Sequence, residues 1–204
     1  SAASDVYKRQ EIKGSLLMVD IIKQAIRAWQ TVLAEPVTIR VDGTPFAVTP
    51  QMTRRARGRA RASRRPHNRA RQIFHDKLVE EIVNAYAAEI GTDPTQPDRP
   101  GLLLSASDYA DLTEDLLNSP EVQALVEDNW PILTAPQVVE RLLTDRRHLE
   151  EASHTILSDD DVDYLLRAKD SPFTVPDVPL LDEAAEQLGL SLIHISEPTR
   201  RTPI

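Results

Sequence analysis

Arginine is the residue type that this 204-residue sequence concentrates most, in a stretch whose side chains could bind phosphate. Nine arginines lie between Asp42 and Asp76, and no acidic residue lies between those two positions. A guanidinium group forms bidentate, charge-assisted hydrogen bonds with phosphate oxygens. Few aromatic residues accompany the arginines, which disfavours the binding of single strands by base stacking. The candidate contacts to nucleic acid or another polyanion are Arg54, Arg55, Arg57, Arg59, Arg61, Arg64, Arg65 and Arg69.

Two other interpretations of the arginine stretch stay open. The arginines could pair with acidic helices of their own domain, which would leave no charge for a ligand. They could also reflect a GC-rich genome, because arginine outnumbers lysine heavily along the whole chain. Each alternative predicts that a polyanion binds weakly or not at all.

A second charged stretch, residues 93–115, is acidic. Its first part contains Pro94, Pro97 and Pro100, which indicates a loop, and its second part indicates a short acidic helix. Such a stretch is either a solvated loop or a probe that enters a basic cleft. If it is a probe, the chain could be an interaction domain for a basic protein surface. The candidate probe residues are Asp93, Asp98, Asp108 and Asp111.

Other catalytic and ligand-binding chemistry has little support in the sequence. Neither G-x-x-x-x-G-K-[ST] nor G-x-G-x-x-G occurs, so we do not expect this chain to bind ATP by itself. The histidines are isolated, and the three aspartates 159–161 follow Ser158 in a pattern more typical of a helix start than of a magnesium site. No serine or cysteine nucleophile is arranged with a base, and the absence of cysteine excludes thiolate metal sites. We therefore predict no catalytic residue, no metal and no cofactor within this chain.

Helices must position these charges. Phe74, Leu78, Ile82, Tyr86 and Ile90 repeat at helical spacing and predict a helix over about 68–90, after an arginine-rich helix over 50–63. A first helix over 12–34 is predicted from an apolar stripe. The stripe consists of Leu16, Leu17, Ile21, Ile22, Ala25, Ile26 and Trp29. Further helices are predicted over 107–117, 120–128, 135–143, 145–152, 159–171 and 177–188.

One β-hairpin interrupts the helices. Residues 37–41 and 46–48 are β-prone, and Asp42-Gly43 between them is typical of a tight hairpin turn. A lone hairpin is marginally stable in water and needs a neighbouring element to cover it. The sequence therefore predicts a mainly α fold with one small β-hairpin.

Both ends of the chain resemble translated sequencing-library adapters. Residues 1–10 (SAASDVYKRQ) are similar to the translation of a transposase-end adapter, and residues 190–200 (LSLIHISEPTR) to that of its partner on the opposite strand. We expect residues 1–10 and most of 190–204 to be artefacts, and 11–189 to be a piece of a longer protein. Without the two acids and four bases of those ends, the insert has 30 acids and 20 bases, a net charge of −10.

The hydropathy of the chain bears on its compartment. No apolar run of eighteen residues and no signal-peptide pattern occurs. We therefore expect a cytoplasmic protein without a membrane partner.

Four stretches of the insert resemble HelD-like helicases, a branch of the UvrD/Rep-type superfamily 1. The longest is 173–189, FTVPDVPLLDEAAEQLG, and the others are 13–15, 66–71 and 130–134. The resemblance covers nearly all of residues 11–189. In that family such a stretch lies between the Walker A and Walker B parts of the first motor domain, in which a family-specific helical insertion is embedded. The resemblance implies that 11–172 is this insertion and that 173–189 returns into the motor domain.

The resemblance also implies a function for the parent protein. Such a parent hydrolyses ATP with Mg²⁺ and, in the transcription-factor branch, binds RNA polymerase, opens its clamp and helps to displace nucleic acid. The acidic stretch with Asp93, Asp98, Asp108 and Asp111 would then be the candidate probe of the polymerase channel. The alternative from another class is a stand-alone nucleic-acid-binding module that uses the arginine-rich face.

Overall fold

The computed structural model describes residues 2–91 and 104–190. Their elements follow the chain in this order: helices α1 (Ala2–Lys13) and α2 (Leu17–Arg27), strands β1 (Val37–Val41) and β2 (Thr44–Val48), helices α3 (Pro50–Ala62), α4 (His67–Ile90), α5 (Ala106–Leu117), α6 (Pro120–Asn129), α7 (Ala135–Thr144), α8 (Arg146–Ala152) and α9 (Asp159–Leu165), a short 3₁₀ helix (Val175–Asp177), and α10 (Val178–Leu188). The prediction of a mainly α fold with one β-hairpin is confirmed.

The chain forms two compact units. A central unit comprises residues 28–132, and a split unit comprises residues 1–27 and 133–204. The central unit is therefore an insertion in the sequence of the split unit. The split unit needs both of its segments, because α10 and α7 both pack against α2.

The central unit is built around α4, as its apolar spacing predicts. Phe74, Leu78 and Ile82 on α4 are completely buried. Helix α3 packs along α4, and the hairpin, α5 and α6 complete the same hydrophobic core. The central unit thus has a core of its own, to which each of its elements contributes buried side chains.

The hairpin forms as its sequence predicts. Asp42 and Gly43 both have positive φ, 48° and 74°, which is the geometry of a type I′ turn. The turn is tighter than expected, because β2 already begins at Thr44, which pairs with Val41. The Arg40 N–H on the outer edge of β1 donates to Oε2 of Glu121 on α6, at 2.7 Å. This contact, with the core residues of the hairpin, supplies the cover that a two-stranded sheet needs.

The predicted helix over 12–34 is wrong in extent. Gly14 and Ser15 interrupt it, because glycine weakens a helix and the Ser15 hydroxyl donates to the Ile12 carbonyl at 2.8 Å. Leu16 and Leu17, predicted on the apolar stripe, are 88% and 51% exposed, whereas Met18 is buried. Within α1, burial begins at Ile12, and most of the described side chains before it are exposed.

The other helix ends follow identifiable caps. Thr134 caps α7 and Ser158 caps α9, as their sequences predict, each in a capping box with the third helical residue. The prediction that α9 reaches Pro172 is wrong, because that helix ends at Leu165.

No helix within residues 2–91 and 104–190 is both long and apolar enough to span a membrane.

Candidate nucleic-acid interface

Helix α3 presents the arginines, and its start is fixed by a cap. The Thr49 hydroxyl accepts a hydrogen bond from the Met52 N–H, and Pro50 occupies the first turn. Thr53, Ala56 and Ala60 are the fully buried residues of α3. Their spacing of three and four residues puts them on one face, so the arginines must occupy the other faces. This run of small residues at helical spacing is the sequence signal for which arginines face inward and which face outward.

Three arginines of α3 are engaged within the central unit. Arg55 forms an ion pair of 3.2 Å with Glu81 on α4. Arg57 Nη1 donates to the Gln30 carbonyl at 3.1 Å, and Arg61 Nε donates to Gln30 Oε1 at 2.7 Å. Both Arg57 and Arg61 are half-buried. Part of the arginine stretch therefore stabilises the central unit itself, although only Arg55 does so by pairing with a carboxylate.

The remaining candidate arginines are exposed and form no ion pair with any carboxylate in residues 2–91 and 104–190. They lie on α3, in the turn to α4 and in the first turn of α4. We call them the arginine surface, which consists of Arg54, Arg59, Arg64, Arg65 and Arg69. The structure thus divides the eight predicted contact residues into five that are available to a ligand and three that are engaged.

The turn between α3 and α4 has an unusual backbone. Arg64 has a φ of 55°, in the left-handed region that glycine and asparagine adopt most readily. The Ser63 hydroxyl donates to the Ala60 carbonyl at 2.6 Å and accepts from the Arg65 N–H at 3.3 Å. These bonds hold the two turn arginines at the end of the α3–α4 pair.

A buried polar network lies at the start of α4. His67 Nδ1 faces Gln30 Nε2 at 3.1 Å, and His67 Nε2 faces the Pro131 carbonyl at 2.8 Å. Since the Gln30 oxygen accepts from Arg61, its nitrogen donates to Nδ1, and the imidazole is neutral with its proton on Nε2. Burial is the main cause that lowers the pKa of His67. The hydrogen bond with the Pro131 carbonyl raises this pKa, and the charge of the nearby Arg71 lowers it. His67 is therefore a satisfied core residue.

Trp130 completes this network. Its ring stacks on His67 and on Phe74, with centroids 5.2 and 5.6 Å apart. Its Nε1 donates to the His67 carbonyl at 2.9 Å, and Arg71 Nε donates to the Trp130 carbonyl at 3.0 Å. The sequence contains no signal for the roles of Gln30 and Arg71, because these roles depend on partners far away in the chain.

The acidic candidates are only partly described. Asp93 and Asp98 lie outside the described residues, whereas Asp108 and Asp111 are exposed on α5. Asp108 also caps α5: its carboxylate accepts from the Ser105 N–H at 2.8 Å, and the Ser105 hydroxyl accepts from the Asp108 N–H at 3.2 Å. The backbone hydrogen bond from Ser105 lowers the pKa of Asp108. Of the two described candidates, Asp111 is the one whose carboxylate does not cap a helix.

The acidic and histidine side chains of the described residues are not clustered as metal ligands. No group of three or more histidine, aspartate or glutamate side chains within residues 2–91 and 104–190 is arranged to hold a metal ion. Of the three aspartates at the start of α9, Asp161 caps the helix: its carboxylate accepts from the Ser158 N–H at 3.3 Å, and hydrogen bonding with the Ser158 side chain and backbone lowers its pKa. Burial lowers the pKa of both His75 and His148.

The chain matches no protein-family model and no curated protein sequence. The function must therefore be argued from the residues and their geometry.

Proposed function

We propose that residues 11–189 form an internal part of a HelD-like, ATP-dependent superfamily 1 motor that binds RNA polymerase and displaces nucleic acid. The observation that carries the proposal is the insertion of the central unit, residues 28–132, into the sequence of the split unit. A helical module embedded in another domain is also the organisation that the resemblance implies, although the resemblance gives that module the bounds 11–172. ATP and Mg²⁺ would bind to parts of the cytoplasmic parent outside this chain, since it contains no phosphate-binding loop motif.

The packing of α10 supports the same proposal. Helix α10 belongs to the stretch 173–189 that most resembles the family, and it packs against α2 and α7. Gln187 Nε2 also donates to the Val19 carbonyl at 2.9 Å. Helix α10, which follows the central unit in the sequence, thus shares a core with α2, which precedes that unit.

Binding to purified bacterial RNA polymerase tests this proposal. We expect the chain to bind the polymerase in biolayer interferometry and the variant Asp93→Asn/Asp98→Asn/Asp111→Asn to bind more weakly, because three carboxylates that could enter a basic channel are neutralised. Asp108 is left unchanged because it caps α5.

A charge-matched control removes three exposed acids of the split unit, in the variant Asp160→Asn/Asp182→Asn/Glu186→Gln. Its affinity for polymerase should stay close to that of the unchanged chain. Equal weakening by both variants would reduce the effect to net charge, and no binding at all would count against the proposal.

The second candidate function is a nucleic-acid-binding module, and the arginine surface favours it. Five exposed guanidinium groups without a described carboxylate partner suit a polyanion. Binding of the whole chain to a fluorescein-labelled DNA, measured over a series of salt concentrations, tests it. Affinity that falls steeply with salt supports this candidate, and the absence of binding at low salt rejects it.

A further inference from the structure

We propose that the arginine surface binds the phosphate backbone of double-stranded nucleic acid without reading its bases. This inference rests on the second candidate function and specifies its ligand. It is carried by the positions of Arg54, Arg59, Arg64, Arg65 and Arg69, which are exposed and lack a described carboxylate partner. The other arginines of the stretch keep this surface in place.

The exposed face of α3 leaves room for a close approach. Arg54, Gly58 and Ala62 lie four residues apart and form one line along the helix, and Arg55 and Arg59 form the next line. A Cβ atom added at Gly58 would meet no atom within 4 Å. A phosphate backbone could therefore lie against the helix itself, with guanidinium groups on either side.

The turn and the start of α4 continue this surface. Arg64 and Arg65 lie in the turn, and Arg69 lies in the first turn of α4, which contains no acidic residue. The positive end of this 24-residue helix therefore adds to the arginine charges. From Arg54 to Ala62 the helix rises roughly 12 Å, and duplex DNA has one charge per about 1.7 Å of its axis, so several phosphates can be contacted at once.

The aromatic residues favour a duplex over a single strand. Single-strand binders stack bases on exposed aromatic rings. The arginine surface contains no aromatic residue, and the rings nearest to it in sequence, His67 and Phe74, are buried and stacked on Trp130. Charge alone then selects the ligand, and a duplex has the higher charge density.

The test uses the whole chain with a 20-base-pair DNA duplex and with one of its single strands, each labelled with fluorescein. We expect tighter binding of the duplex. In the variant Arg54→Gln/Arg59→Gln/Arg69→Gln the duplex Kd should rise at least about tenfold at 100 mM salt, and the slope of log K against log salt should become shallower by up to about 2.7, at about 0.9 for each lost phosphate contact.

Two further variants separate binding from folding. Arg64→Gly removes one charge at a left-handed position that glycine adopts readily, so the fold should remain while the affinity for the duplex decreases. Gly58→Leu keeps every charge but places a bulky side chain on the line of Arg54, next to Arg59, and we expect it to weaken duplex binding where Gly58→Ala does not. The charge-matched control is Arg146→Gln/Arg147→Gln/Lys169→Gln, on exposed cations of the split unit.

The outcomes are distinguishable. Tighter binding of the single strand, or equal losses in the arginine-surface and control variants, would overturn this inference and leave nucleic-acid binding itself intact. An unchanged affinity of Gly58→Leu would overturn the contact along α3. Failure to bind either DNA would reject both the inference and the second candidate function, and would leave the polymerase proposal to its own test.

Discussion

Gln30 and His67, which are 37 residues apart in the sequence, are joined by a buried hydrogen bond of 3.1 Å. The side-chain oxygen of Gln30 accepts a hydrogen bond from Arg61 on α3, and the backbone carbonyl of Gln30 accepts one from Arg57. One glutamine therefore links the arginine-rich helix to the start of α4. Arg61 fixes the orientation of the side-chain amide, and in that orientation the amide nitrogen donates to His67 Nδ1 and keeps the imidazole neutral.

Loss of this glutamine should destabilise the central unit. In Gln30→Ala, His67 Nδ1 loses its described donor in a buried position, which costs about 1–3 kcal/mol. Both tryptophans of the chain, Trp29 and Trp130, lie in the central unit, so urea denaturation followed by tryptophan fluorescence reports on it. Gln72→Ala, which removes an exposed hydrogen bond to Asp76, is the control and should cost under about 0.5 kcal/mol. Equal costs would show that the buried network contributes nothing special.

Acidification should also destabilise the central unit. Burial lowers the pKa of His67 and of His75 below the ordinary value of 6.5 in the folded protein. Below about pH 6.5 the unfolded chain therefore binds more protons than the folded protein. The free energy of unfolding is at its full value above that pH and decreases as the pH falls, by up to about 1.4 kcal/mol per pH unit for each histidine. The measurement is urea denaturation, followed by tryptophan fluorescence, between pH 5 and pH 7.5.

A histidine substitution checks the assignment. In His67→Gln the unfolding free energy should be lower at pH 7.5 but should change less between pH 7.5 and pH 5, because one of the two titrating groups is gone. His154→Gln, in the split unit, should keep the profile of the unchanged chain. A His67→Gln profile as steep as the original would show that His67 does not contribute to it.

Two glycines should respond to alanine in opposite directions. Gly58 lies inside α3 with open space around its Cβ position, so Gly58→Ala should stabilise the central unit by about 0.5–1 kcal/mol. Gly43 has a φ of 74° in the hairpin turn, so Gly43→Ala should destabilise it by about 1 kcal/mol. Urea midpoints measured by tryptophan fluorescence distinguish the two. Shifts of the same sign would contradict the assignment of the α3 and hairpin conformations.

In the split unit, a buried carboxylate should be essential for stability. Asp177 is fully buried, pairs with Lys13 at 2.5 Å and accepts from Arg167 at 3.2 Å. Burial pushes the pKa of Asp177 upward, but hydrogen bonds from Lys13 and Thr174 lower it overall, so this contribution is lost only in acid as the pH falls below the usual aspartate value of 3.8. Asp177→Asn leaves the buried Lys13 and the half-buried Arg167 without their carboxylate and should cost about 3–5 kcal/mol.

Hydrogen exchange measured by mass spectrometry can follow this loss in α2, α7 and α10. Asp163→Asn removes an exposed ion pair with Arg146 and should change the stability little, because solvent screens exposed pairs. Protection in the three helices should therefore fall strongly in Asp177→Asn and little in Asp163→Asn. Equal protection in the two variants would contradict the importance of the buried pair.

Local signals account for the parts of the fold that could be predicted. Asp42-Gly43 specifies its turn, Thr134 and Ser158 cap their helices, and the spacing from Phe74 to Tyr86 identifies the core helix, because each depends on residues close in the chain. The end of α2 depends instead on tertiary partners. The Thr31 N–H donates to the Asn129 carbonyl at 2.9 Å, so the backbone leaves the predicted helix for a contact 98 residues away.

The candidate site shows the same division. The excess of arginine and the absence of nearby acids are visible in the sequence. The sequence does not show which arginines remain available to a ligand. That depends on the hydrogen bonds of Arg57 and Arg61 with Gln30, and on the ion pair of Arg55 with Glu81. The spacing of Thr53, Ala56 and Ala60 could have indicated the inward face, but not the partners of the side chains beside it.

The insertion of the central unit also has a consequence for synthesis on the ribosome. The central unit, residues 28–132, has a hydrophobic core of its own, whereas α2 packs against α7 and α10, which are synthesised later. At about 5–20 residues per second, translation of residues 133–190 takes roughly 3–12 s. During that time the apolar face of α2, with Ile21, Ile22 and Ile26, has none of its native partners from those helices. We therefore expect the nascent chain to be bound by a chaperone that recognises exposed aliphatic helices.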